Sequence, residues 1–92
     1  MKLKELSEIQ TANLNLLLLV SEHARTDRAM TCCLFGIDIR QAEFFAQLTF
    51  NRILTLVCHI DECLFRPRVD ITQLFTCPPQ LAGTIFTTQQ QS

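Results

Sequence analysis

The feature that most constrains this fold is a leucine-rich stretch over residues 4–23 that contains neither proline nor glycine. Apolar residues recur in it every three or four positions, the spacing of one face of an α-helix. The sequence therefore predicts a long first helix. Leu14, Leu18 and Leu19 fall outside that face, so the second half of the helix is apolar on most sides and is expected to be buried on more than one.

Two surfaces would cover such a helix, namely the core of its own chain and a second subunit. Charged residues make up only 18% of the 92 residues, below the roughly 25% that is usual for soluble domains. A chain of this length buries only about 60% of its unfolded surface, so oligomerisation is expected. We predict a homodimer with an interface along the first helix. The predicted interface residues are Leu6, Ile9, Asn13, Leu16, Leu17 and Val20.

Side chains suited to capping divide the middle of the chain into three short helices. Asp27 is placed to begin the first of these, and Gly36 is placed to end it in the left-handed conformation. Asp38 and Thr49 are placed to begin the second and third. The fold class predicted from these patterns is all-α, a small helical domain with one short extended segment.

Residues 28–48 have the outline of a helix-turn-helix, two short helices joined through a glycine. In a DNA-binding arrangement, the second helix would offer only Arg40, Gln41 and Gln47 to base edges. Its Glu43 would repel phosphate, and helix pairs joined through glycine are also common packing units. DNA reading by this helix and pure packing both remain open.

Residues 63–70 interrupt the helical pattern, because β-prone side chains alternate with arginines and Pro67 cannot lie inside a helix. We predict an extended segment or an edge strand. Alternation would send Arg66 and Arg68 to the same side, where they could bind phosphates or a partner's carboxylates. The plainer interpretation is two solvated arginines that blunt a strand edge.

The carboxy-terminal region is predicted to be helical only in short pieces. Residues 71–75 are expected to form one helical turn, and Pro78 and Pro79 to open a short helix through Ile85. Residues 89–92 are expected to fray. We expect residues 1–92 to form a single domain, with 77–92 as a flexible or short-helix tail.

Composition and motifs argue against several functional classes. The formal charge is −1, so no global basic field holds the chain on DNA, and any DNA contact must be local or shared with a partner. No nucleophile elbow or phosphate loop is present, so neither an enzyme nor a cofactor is predicted. Cys58, His59 and Cys63 lack a fourth ligand at a recognisable spacing, so no metal site is predicted.

The sequence also predicts where the protein is found. Its longest uninterrupted apolar run, residues 16–20, is far shorter than the roughly 20 residues that span a bilayer. The residues after the amino terminus are too polar for a secretory signal. We therefore expect a cytoplasmic protein with reduced cysteines and no membrane contact.

Several blocks of the sequence, taken in order, point to a known family. They are NLNLLLL at 13–19, DRAM at 27–30, LFGI at 34–37 and AQLT at 46–49, followed by the looser blocks FRPRVD at 65–70 and ITQL at 71–74. Together, in this order and at this spacing, they resemble the FlhD family. The resemblance implies an intertwined, all-helical homodimer that joins FlhC-like subunits, binds promoter DNA within that complex and recruits RNA polymerase to activate transcription. It also implies that the partner carries most of the sequence recognition.

The chain departs from the family pattern in two places. By the resemblance, the cysteine that links the two subunits in some members falls at or near Phe65, two residues from Cys63, so no intersubunit disulfide is predicted. The region from Cys77 onward is shorter than in the family and is interrupted by Pro78 and Pro79. Such divergence also fits FlhD-like regulators that control conjugative transfer instead of flagella.

Two alternatives to an activator subunit remain open from the sequence. One is a protein-binding adaptor or anti-activator, which would use the same apolar surface to sequester a regulator without touching DNA. The other is a thiol or metal switch built from Cys58, His59 and Cys63.

Overall fold

The computed structural model describes residues 5–91, apart from the side chains of 89–91. Within this range the chain forms helices joined by turns and loops, and it contains no β-strand. The all-α prediction is confirmed. The helices are α1 (Glu8–Thr26), α2 (Arg28–Phe35), α3 (Ile39–Gln47), α4 (Phe50–Cys58), α5 (Ile71–Thr76), a 3-10 turn (Pro79–Leu81) and α6 (Ala82–Gln91).

Capping sets both ends of the long first helix. Ser7 Oγ accepts a hydrogen bond from the backbone N–H of Gln10, and Gln10 Oε1 accepts one from the N–H of Ser7. This capping box starts α1 at Glu8, later than the predicted start at residue 4, which lies outside the described residues. At the other end the helix continues to Thr26, three residues past the predicted end.

The three predicted caps of the short helices are confirmed. Asp27, Asp38 and Thr49 each accept a hydrogen bond through a side-chain oxygen from the backbone N–H three residues later, at 3.0, 2.7 and 3.2 Å. Gly36 ends α2 with φ of 66°, the left-handed conformation expected of it. These local interactions explain why α2, α3 and α4 follow one another with only short connections.

The core lies where α2, α3 and α4 pack against α1. Its centre is formed by Leu17 of α1 with Ile53 and Val57 of α4. Fully burying a side chain of this kind stabilises the fold by about 1.5 to 3 kcal/mol. The partly buried residues around this centre are Leu6, Leu14, Leu18, Phe45 and Leu48.

The segment between α4 and α5 is irregular, with bends at residues 62, 64, 68 and 69. The edge-strand prediction is therefore wrong, since the described chain offers no second strand with which residues 63–70 could pair. Instead, Asn13 of α1 holds this segment through its side-chain amide. Asn13 Nδ2 donates to the carbonyl oxygen of Glu62, and Asn13 Oδ1 accepts from the N–H of Leu64, both at 2.9 Å.

The carboxy-terminal arm, which we define as residues 71–91, packs mainly on itself, α5 and the 3-10 turn against α6. The predicted turn at 71–75 and the short helix opened by Pro79 are confirmed. Fraying was predicted from residue 89, but the helical backbone of α6 continues to Gln91. After Gly83 no glycine or proline interrupts it.

Candidate DNA and partner interface

Arg68 joins the carboxy-terminal arm to the helical body. Its guanidinium carbon lies 5.5 Å from the centre of the Phe86 ring on α6, where the face of the ring attracts a cation. Its Nη1 atom lies 3.0 Å from the position that a Cβ on Gly36 would occupy. The guanidinium therefore sits at the carboxyl end of α2, where a positive charge is favourable. The cation–π contact with Phe86 is within the chain, which gives Arg68 a structural role.

Arg66 is exposed and stands two residues earlier in the same irregular segment. The sequence predicted that Arg66 and Arg68 would act together on one side of an extended segment. The bends at 68 and 69 remove the alternation on which that prediction depended. Of the pair, Arg66 is the residue whose charge is better placed to meet an external phosphate or carboxylate.

Arg40 and Gln41, the predicted DNA-reading residues, lie on the first turn of α3 and differ in their roles. Gln41 Oε1 accepts a hydrogen bond from the N–H of Asp38 at 3.1 Å, so Gln41 completes the capping box of α3. The side chain of Arg40 is 87% exposed, and its only ion pair within the described chain is a 4.0 Å contact with Asp38. Arg40 is thus the more accessible of the two.

Three of the six predicted dimer-interface residues are buried within the single chain. Asn13 is 0% exposed, and Leu17 and Val20 are also buried. The structure buries these three side chains in the core of the single subunit. The sequence pattern could not separate the face of α1 that meets its own core from the face that remains outside.

The accessible apolar side chains of α1 form a second stripe, which we call the outer face and define as Ile9, Ala12, Leu16 and Leu19. Ile9, Ala12 and Leu19 are exposed, and Leu16 is half-buried. Leu6, also predicted at the interface, is half-buried just before α1 and packs against the core. Leu19 was missed as an interface candidate because it falls outside the apolar spacing used for the prediction.

The three residues of the suggested thiol or metal switch lie at and after the end of α4. Cys58 is the last residue of the helix, His59 is its C-cap, and Cys63 stands four residues further along the chain. Cys58 is half-buried, whereas His59 and Cys63 are exposed. Cys63 Sγ donates a hydrogen bond to the carbonyl oxygen of Phe65 at 3.0 Å. Among residues 5–91, no group of three His, Cys, Asp or Glu side chains is arranged to hold a metal ion.

A groove of about 770 Å³ lies between α3 and α4 and was not predicted from the sequence. Phe44 on α3 and Leu56 on α4 form its rims, and they are 55% and 50% exposed. The guanidinium of Arg52 lies 5.5 Å over the Phe44 ring. The sequence did carry a signal for this groove, because the large apolar residues Phe44 and Leu56 stand directly next to core positions along the chain. The remaining lining residues are Leu17, Arg40, Gln41, Glu43, Phe45, Gln47, Leu48 and Ile53.

Comparison with known proteins identifies the family. A family model described as flagellar transcriptional activator (FlhD) matches residues 1–80, which is most of the chain. The chain belongs to the FlhD family. No curated protein and no solved structure matches it significantly. The FlhD match ends inside the 3-10 turn, so α6 lies beyond it.

FlhD membership confirms the resemblance seen in the sequence blocks. The family is one of flagellar transcriptional activators and not a family of enzymes, which gives this FlhD-type chain a role in activating transcription. In the part of the chain that the structure describes, no helix is both long and apolar enough to cross a membrane.

Proposed function

We propose that this chain is one subunit of a heteromeric bacterial activator that forms a homodimer, joins an FlhC-like partner and binds promoter DNA as part of that complex. The observation that carries the proposal is the FlhD family match over residues 1–80. The assembled complex then recruits RNA polymerase in the cytoplasm. Its regulated genes are flagellar by the family description, and conjugative-transfer genes are the alternative suggested by the divergent carboxy-terminal region.

The outer face of α1 is the proposed homodimer surface. It presents Ile9, Leu16 and Leu19 along about 15 Å of helix. An apolar stripe of this kind favours a second helix against it. The buried residues Asn13, Leu17 and Val20 would support this surface from inside the subunit.

Local positive charge supports the proposed DNA contact. The formal charge of the chain is −1, so DNA binding by the isolated subunit should be weak. Arg66 and Arg40 are exposed and can neutralise phosphates beside a partner that reads the bases. Gln41 and Arg68 remain candidates for direct contact, but both already have roles in holding the fold.

The second candidate function is an adaptor or anti-activator, which would bind a regulator without touching DNA. The observation that favours it is the exposed apolar surface on both α1 and the α3–α4 groove. The two functions differ in whether the positive side chains contribute to DNA affinity once the partner is present.

A gel-shift assay of the assembled complex separates the two functions through Arg66. For an activator subunit, Arg66→Ala should weaken binding about equally across DNA sequences and lower the salt dependence by about one phosphate contact. Arg66→Lys, which keeps the charge, should retain most of the affinity. Unchanged affinity in Arg66→Ala would favour the adaptor. Arg66 is preferable to Arg68 because replacing Arg68 also alters the carboxy-terminal arm.

A further inference from the structure

We propose that three buried polar side chains select the rotation of α1 about its own axis and thereby keep the outer face of that helix on the surface of the subunit. The three side chains are those of Gln10, Asn13 and Ser21, which are 5%, 0% and 1% exposed. The inference concerns the fold of the subunit, and it holds whether the outer face meets a second copy of this chain or another protein.

The buried side of α1 is more polar than its outer face. Three of the six residues that α1 buries are polar, whereas the four residues of the outer face are all apolar. A surface helix usually turns its apolar stripe toward the core and its polar residues toward water. Apolar spacing therefore does not explain why this side of α1 faces inward.

The outer face and the buried side follow the same spacing and differ by one position along the chain. Each outer-face residue is followed directly by a buried residue, and these buried residues are Gln10, Asn13, Leu17 and Val20. A rotation of α1 by about 100° would therefore exchange the two sets. By hydrophobicity alone the rotated helix would be favoured, since it would bury Ile9 and Ala12 in place of Gln10 and Asn13.

Hydrogen bonds to the end of α4 and to the segment after it favour the observed rotation instead. Asn13 pairs through its amide with the carbonyl oxygen of Glu62 and the N–H of Leu64, both at 2.9 Å. Gln10 Nε2 donates to the carbonyl oxygen of Cys58, the last residue of α4, at 3.3 Å. These bonds form only when Gln10 and Asn13 face inward.

A second anchor lies about two turns later on α1, at the carboxyl end of α3. Ser21 Oγ donates to the carbonyl oxygen of Phe45 at 2.9 Å. Arg25, one turn further along, donates through Nη2 to the carbonyl oxygen of Leu48, the C-cap of α3, at 2.8 Å. The last carbonyls of a helix have no partner in its regular hydrogen-bond pattern, so side chains of α1 supply one. The rotation of α1 is thus fixed near both of its ends.

Rotating α1 would break the bonds of Gln10 and Asn13 without replacing them. Ile9 and Ala12 would take their places, and neither side chain has a hydrogen-bond donor or acceptor. Partly buried backbone groups would lose their partners, which opposes the gain from burying more apolar surface. Buried polar residues can fix the register of packed helices in this way at some cost in stability.

The test counts the conformations of the full chain by heteronuclear NMR. In Gln10→Leu with Asn13→Leu, both sides of α1 are apolar, so the two rotations become close in free energy. We expect one set of α1 amide resonances from the wild type and a second set from this double variant, with at least about a tenth of the intensity of the first. The matched control Thr11→Leu with Asn15→Leu adds two leucines at exposed positions of α1 and should keep one set. A single set from the double variant overturns the proposal.

A compensating variant separates the choice of rotation from a loss of stability. Adding Ile9→Gln and Leu19→Gln to the double variant makes the outer face polar, so the observed rotation again becomes the favourable one. A single set of resonances should return although the hydrogen bonds of Gln10 and Asn13 are still missing. If the double variant does not fold, the compensating variant should restore folding for the same reason. A compensating variant that is unfolded or gives two sets overturns the proposal, because the polar side chains would then act only through stability.

Discussion

Asn13 connects two parts of the chain that are almost fifty residues apart. It lies on the inward side of α1 with 0% of its surface exposed, and its amide satisfies backbone groups of Glu62 and Leu64. One turn earlier, Gln10 Nε2 donates to the carbonyl oxygen of Cys58 and to Asp61 Oδ1, both at 3.3 Å. Buried polar groups of this kind must be hydrogen-bonded, so these two side chains hold the segment that follows α4 in one position.

Replacing Asn13 therefore tests the polar connection directly. Asn13→Ala should lower the free energy of unfolding by about 2 kcal/mol, because two backbone groups lose their partners and a small cavity remains. The exposed Asn15→Ala on the same helix is the matched control and should change it by less than about 0.5 kcal/mol. Urea denaturation followed by circular dichroism gives both values. Equal effects would contradict a specific role for Asn13.

Replacing each of the two glycines of the chain by alanine should change the stability of the protein in opposite directions. Gly36 has φ of +66°, and an added Cβ would lie 3.0 Å from Arg68 Nη1, so Gly36→Ala should destabilise the protein by about 1 to 2 kcal/mol. Gly83 lies in α6 with nothing within 4 Å of an added Cβ, so Gly83→Ala should stabilise the helix by about 0.5 to 1 kcal/mol. Thermal unfolding of the two variants, measured side by side, checks the difference in sign.

Among the elements, the carboxy-terminal arm differs most from the rest. α1 to α4 share a core, whereas α5 and α6 have no buried residue among their described side chains. A group of helices with so little buried apolar surface depends on a few specific contacts for its position. The Arg68–Phe86 contact is one of them, and it also brings the arm to the turn that ends α2.

Loss of this contact should be visible as faster opening of α6. In Arg68→Ala, the backbone amides of α6 should exchange with deuterium roughly two- to fivefold faster, the effect of losing about 0.5 to 1 kcal/mol from an exposed cation–π pair. The matched variant Arg66→Ala should leave these rates unchanged. Hydrogen–deuterium exchange with mass spectrometry gives both results, and equal rates in the two variants would mean that Arg68 does not hold the arm.

As a whole, the subunit is longer than a compact chain of its size. Its extents are 49 × 29 × 20 Å and its Cα radius of gyration is 15.7 Å, whereas about 12 Å is expected for a compact 92-residue domain. An elongated subunit keeps more apolar surface in contact with water. Exposed side chains on α1, in the groove and on the arm are the result, and they are the basis for expecting an assembly.

The homodimer prediction can be tested on the outer face of α1 without disturbing the core. Ile9→Glu combined with Leu19→Glu should weaken dimerisation by at least about hundredfold, because the interface would bury unpaired charges. Thr11→Glu, at an exposed position on another side of α1, is the control. Sedimentation equilibrium measures the dissociation constants. A double variant that remains as dimeric as the wild type would exclude the outer face of α1 as the interface.

Much of this fold could be predicted from the sequence because helix boundaries depend on residues close together in the chain. Asp27, Gly36, Asp38 and Thr49 each act within four residues of their own position, so their roles follow from local order alone. The family could also be identified from short blocks in order. Of the candidate site, the sequence identified Arg40 and Arg66 as potential contacts and Ile9 and Leu16 as surface candidates.

Only the tertiary structure decided which surfaces remain available. Leu17 and Ile9 both follow the apolar spacing of α1. Packing against α4 buries Leu17, whereas Ile9 remains exposed. Likewise, the position of Arg68 depends on Phe86, eighteen residues later, and the groove depends on how α3 and α4 each pack against α1. Contacts between distant residues set these outcomes, and helical spacing carries no information about which distant partner a side chain will meet.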